Sequence, residues 1–162
     1  MNGGANFTNK AQDAIMSAQQ LAQEKGQQQI DALHLILALL LQDGSVVLTV
    51  LQKLGVDVDS LKKKVEAQIV KIPTIAAPAV FSQFYLTQDM AKVLDRARQE
   101  AMKMGDEFIS VEHFFLALLD TKSGARDILE KITFFGSMGD SNSLKTSKLD
   151  YEQVLKILSQ IR

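Results

Sequence analysis

The sequence predicts an all-α fold. It reads as two pseudo-twofold-related four-helix repeats, about eight helices, joined by a proline-containing linker. Three observations predict this. The stretch Gly26 to Leu40 recurs, altered, as Gly105 to Leu119, at a constant spacing of 79 residues. Thr8, Gly26, Ile30, His34 and Leu37 to Leu40 meet Thr87, Gly105, Ile109, His113 and Leu116 to Leu119 in one ungapped register. Apolar residues recur in steps of three and four, which is the helical period. Pro73 and Pro78 interrupt that period between the copies. The expected division is one domain over 1–162, with repeat one at 7–72, a linker at 73–86 and repeat two at 87–162.

Each element has its own signal. Residues 1–6 are small and polar and are expected to be loose. Thr8 stands at an N-cap position before Ala11, Ala14, Ile15, Ala18, Leu21 and Ala22, and Gly26 stops that helix. Asp31 caps Ala32 to Leu41, so apolar that it must be buried on most sides. Ser45 caps a third helix carrying Val46, Val47, Val50, Leu51 and Leu54. Asp57 or Asp59 opens a fourth with Leu61, Val65, Ile69 and Ile72 inside and Lys62, Lys63 and Lys64 on a solvated face.

The linker is apolar for its kind, with Ile75, Val80, Phe81, Phe84 and Tyr85. It either packs along the seam between the repeats or exposes part of itself for binding. In the second copy Thr87 caps a helix to Met104, Ser110 caps Val111 to Leu119, and Gly124 precedes a helix carrying Ile128, Leu129 and Ile132. The copies then diverge. Residues 133–147 are rich in Gly, Ser and Asn and read as a loop, before a last helix at Tyr151 to Ile161.

Composition narrows the chemistry. With 18 basic and 19 acidic residues the net charge is −1, which gives no electrostatic reason to expect nucleic acid or an anionic membrane as partner. The absence of cysteine removes disulfides, thiolate metal sites and a thiol nucleophile. No apolar run has the ~18 residues of a membrane span, and the first residues do not read as a secretory signal. Phosphate-cradling loops, nucleophile elbows and metal-spaced histidines are all missing.

His34 and His113, the two histidines, occupy equivalent positions near the starts of the most apolar helices. Each imidazole is expected to pack inside its unit and hydrogen-bond a backbone group, with a pH-sensitive role as the alternative. Asp106, Glu107 and Glu112 replace Gln27, Gln28 and Leu33 of the first copy, so acid is not demanded by the packing of the repeat. They either favour the positive N-terminus of the following helix, by about 0.3–1 kcal/mol each, or form an acidic edge for a basic or backbone N–H group of a bound chain.

Phe7-Thr8-Asn9-Lys10, Leu33-His34-Leu35, Ile72-Pro73 and the run from Gly105 to Glu112 together resemble the N-terminal domain of Clp-family (Hsp100) AAA+ unfoldases, most closely the ClpB-type disaggregases. The resemblance runs from Phe7 to about Lys131. It implies a non-catalytic, cytoplasmic module that binds unfolded or aggregated polypeptide and passes it to an ATPase ring. It implies no cofactor in this stretch, ATP and magnesium in the ring, a monomeric isolated domain and a hexameric parent. Adaptor proteins are possible partners. By the same resemblance Thr8, Asp106 and Glu112 handle substrate, and Leu94, His113 and Phe114 line an apolar groove nearby. A related branch carries Glu-His in both repeats and reads phosphoarginine. Here Glu112-His113 matches that pair, while the first copy has Leu33-His34. Adaptor docking or phosphoarginine binding is therefore the alternative function.

Overall fold

The computed structural model describes residues 6–75, 83–134 and 145–162. The first set of helices is α1 (Asn9–Glu24), α2 (Ala32–Leu41), α3 (Val46–Lys53) and α4 (Val58–Ile69). The second set is α5 (Gln88–Lys103), α6 (Val111–Asp120), α7 (Gly124–Leu129) and α8 (Tyr151–Ile161). Thr8 Oγ1 accepts the Ala11 amide at 3.1 Å and Thr87 Oγ1 that of Met90 at 3.1 Å, so both copies start on the same cap. Such a cap is worth about 1 kcal/mol. Asp57, not Asp59, caps α4, through the Ser60 amide at 3.1 Å. Gly26 and Gly105 end α1 and α5 at φ 68° and 71°, a left-handed backbone that costs a residue with a Cβ about 1–2 kcal/mol.

The core is built around α2 and α6. Ala32 to Leu40 is buried throughout, and so is Val111 to Leu119 apart from Glu112. Within each copy the first two helices pair, α1 on α2 and α5 on α6. The third helices cross over: α3 packs against α6 and α8, and α7 against α2 and α4. Each copy thus covers apolar surface of its twin, and one continuous core results.

Short extended segments complete the described fold. β1 (Gln29–Ile30) pairs in parallel with β2 (Tyr85–Leu86), and the isolated bridge Phe7–Ile109 is its equivalent in the other half. Thr87 N donates to Ile30 O at 3.1 Å and Thr8 N to Ile109 O at 3.0 Å, which is the pseudo-twofold expressed in backbone hydrogen bonds. The linker therefore follows repeat one at both ends, with Ile75 N also donating to Gly26 O at 2.8 Å.

Three expectations are corrected. Gly124 is the first residue of α7, behind a Ser123 cap, and does not precede the helix. Ile132 lies outside α7. It is fully buried in β3 (Ile132–Phe134), which pairs antiparallel with β4 (Lys145–Ser147), so the ends of the expected loop form a ladder. β3 also meets repeat one, where Asp57 N donates to Thr133 O at 2.9 Å. Ile72 lies beyond the end of α4, partly buried against the core. The looseness expected of residues 1–5, the linker positions 76–82 and the loop positions 135–144 lie outside the described residues.

Candidate functional site

Asp106 sits one residue beyond the glycine that ends α5, and Glu112 is the second residue of α6. The intervening turn is fixed by the bridge between Phe7 and Ile109, which brings the start of α1 alongside. Thr8, Asp106 and Glu112 are thereby collected around one bridge. The Thr8 hydroxyl is used as the cap of α1 and its amide is spent on Ile109. Phe108, between the two acids, is 47% exposed.

His113 joins the acids from below. Its Nδ1 accepts the Ser110 amide at 2.8 Å, so Nε2 carries the proton and donates to Asp106 Oδ2 at 2.8 Å. The other Asp106 oxygen accepts from the guanidinium of Arg162, whose Nε lies 3.8 Å from Glu112 Oε2. The Arg162 guanidinium beside Asp106 holds its carboxyl below the ordinary carboxylate value, helped by the His113 hydrogen bond and opposed by partial burial. Glu112 Oε1 also accepts from the Ser110 hydroxyl. The acidic edge is real, and a basic group of the chain itself already occupies it.

The groove-lining residues expected from the resemblance do not line a surface groove in this structure. Phe114 is wholly buried, its ring 5.9 Å from that of Phe7. His113 is 1% exposed and fully hydrogen-bonded. The reason is position: both residues lie on the face of α6 that the rest of the bundle covers. Leu94, on α5, is partly buried against the core. An open groove of about 610 Å³ lies instead beside β1 and β2, lined by Gln19, Gln28, Ile30, Gln83, Phe84 and Tyr85. Tyr85 and Leu86 are 52% and 45% exposed there. The apolar character of Phe84 and Tyr85 in a linker was the available signal for it.

Two further features escaped the sequence. Arg162 had no visible role. Yet Asp57, Leu61, Val65 and Ile69 of α4 match Asp150, Val154, Leu158 and Arg162 of α8 at a register of 93, so it stands where copy one has Ile69. Glu100 is buried on α5, where it accepts from the Tyr151 hydroxyl and pairs with Arg96 at 3.2 Å and Lys103 at 3.1 Å. Burial pushes its carboxyl up, but the hydrogen bonds from Tyr151 and Lys103 outweigh that and leave it below the ordinary value. Among the described residues no three His, Asp or Glu side chains are grouped to hold a metal ion. No single helix among them is long and apolar enough to cross a membrane.

A family model described as the Clp repeat (R) N-terminal domain matches residues 6–132. The chain is 37% identical over 127 residues to the chaperone protein ClpB of Bacillus cereus, covering 78% of this chain and 15% of that one. It is 39% identical over 130 residues to ClpB of Bacillus anthracis, covering 80% and 15%. The chain thus spans about 15% of the length of these curated relatives. Its fold is similar to that of the Hsp104 N-terminal domain from Candida albicans, with a TM-score of 0.75, 19% identity and coverage of 97% of this chain and 91% of that one.

Proposed function

Because the chain belongs to the Clp repeat (R) N-terminal domain family, we propose that it is a non-catalytic substrate-binding module of an ATP-dependent unfoldase or disaggregase. It grips exposed apolar segments of unfolded or aggregated protein and passes them to an ATPase ring. One observation carries this reading: Ile30, Phe84 and Tyr85 line an open groove, and the adjoining Leu86 extends an exposed apolar rim that the core does not use. The backbone beside it is extended, so a client strand finds apolar contacts along a sheet edge. Phe108, with Asp106 and Glu112 on either side, offers a second, smaller apolar contact at the pseudo-equivalent bridge.

Transfer to a ring needs release, so affinity near 10⁻⁶ M, about 8 kcal/mol, suits the task. A fluorescence titration with a permanently unfolded client tests it. Saturable binding that weakens in Leu86→Ser supports the reading, and absence of binding by the unaltered chain sinks it. A second reading, docking of an adaptor or of a phosphoarginine-tagged protein, is favoured by the guanidinium already seated between Asp106 and Glu112. Displacement of the labelled client by phosphoarginine would select it.

A further inference from the structure

The two copies tie down their fourth helices by different chemistry. In copy one the buried Gln27 side chain donates to Ile69 O at 2.8 Å and Ile72 O at 3.3 Å, and accepts from His34. Ile69 itself is fully buried. In copy two the same three positions are Asp106, Glu112 and Arg162 in place of Gln27, Leu33 and Ile69. All three have become charged together, although the uncharged set already performs the structural task in the first copy. The pair they form is partly open to solvent, with Arg162 34% exposed, Asp106 21% and Glu112 15%. An ion pair of that kind is weak, because water competes for both partners. One guanidinium can replace another on the same two carboxylates with little net change in free energy.

We propose that Arg162 is a built-in occupant of the Asp106–Glu112 edge, and that a basic side chain of a bound polypeptide displaces it, so that the end of α8 acts as an internal competitor gating the edge. The ligand class is an extended apolar segment bearing an arginine or lysine. This rests on the client-binding reading above. The gate selects clients by charge: an uncharged segment leaves Arg162 in place, and a basic one releases it. Release frees only the end of α8, because Val154 and Leu158 stay buried and Tyr151 remains bonded to Glu100.

The test uses two short apolar peptides that differ at one central position, arginine in one and the uncharged isostere citrulline in the other. The Arg162 Nε–H resonance of the labelled chain is followed by NMR and identified by its loss in Arg162→Gln. The arginine peptide is expected to move that resonance and to bind Arg162→Gln about fivefold more tightly than the unaltered chain, the size of one exposed ion pair. The citrulline peptide should bind both proteins alike and leave the resonance unmoved. Asp106→Asn with Glu112→Gln should abolish the preference for arginine. If both peptides bind but gain equally from Arg162→Gln, or if the resonance stays put at saturation with the arginine peptide, the gate is overturned while client binding stands. If neither peptide binds either protein, client binding falls and the gate with it.

Discussion

His113 Nε2 lies 2.8 Å from Asp106 Oδ2, where the equivalent His34 Nε2 lies 2.7 Å from Gln27 Oε1. Each ring accepts, at Nδ1, the amide of the residue three positions earlier, Ser110 or Asp31, which fixes the same tautomer in both copies. The duplication has kept the imidazole and changed only the acceptor it faces. Substitution at the two acceptors should therefore differ in cost. Gln27→Ala leaves the buried His34 N–H and the Ile69 carbonyl without partners, and should cost about 1–3 kcal/mol. Asp106→Asn still offers an oxygen to His113 and gives up an exposed ion pair, so it should cost about 1 kcal/mol or less. Urea unfolding of the two variants measures the difference.

Burial lowers the pKa of His34, against the opposing attraction of Asp31. The folded state therefore favours the neutral ring more than the unfolded state does. The contribution is complete above the ordinary histidine value of 6.5 and is lost as pH falls from there through the lower folded value. Stability should decline on acidification from about pH 6.5, and NMR titration of the His34 ring should show a midpoint below that of a histidine peptide.

Phe114 is a core residue, so Phe114→Ala should cost about 3–5 kcal/mol by opening a cavity against Phe7. Thermal unfolding would show a large drop in Tm. Client binding per folded molecule should remain, which a titration well below the new Tm would establish.

Tyr85→Ser and Leu86→Ser remove exposed apolar surface and leave the core intact. Stability should change by about 0.5 kcal/mol or less. Binding of an unfolded client should weaken several-fold, as read by fluorescence anisotropy beside an unchanged melting curve.

Tyr151→Phe removes the hydroxyl that satisfies the buried Glu100 carboxylate. Leaving that charge short of a donor should cost about 1–3 kcal/mol. Faster amide exchange in α8 than in α4 would show that the loss falls on the docking of the last helix.

The sequence alone determined the local and repeated parts of this protein. The 79-residue register, the caps Thr8, Asp31, Ser45 and Thr87, and the near-total burial of Ala32 to Leu40 were legible because each depends on neighbours within a few residues. Repetition doubled the signal. The end of α7 at Leu129 and the ladder at Ile132 were not legible, since Ile132 fits a helical step as well as a strand and its partners are distant.

Only the tertiary structure decided what the acidic edge faces and where an apolar groove opens. Asp106 and Glu112 were readable as acids, but their partner Arg162 is 50 or more residues away and arrives through the docking of α8 on α6. Phe114 and Leu94 have the same apolar character as Leu86, yet the crossing of α3 and the packing of α1 against α6 cover Phe114 and leave Leu86 exposed. Side-chain chemistry is carried by each residue. Which face of a helix meets solvent depends on long-range packing of both copies, and no local pattern encodes it.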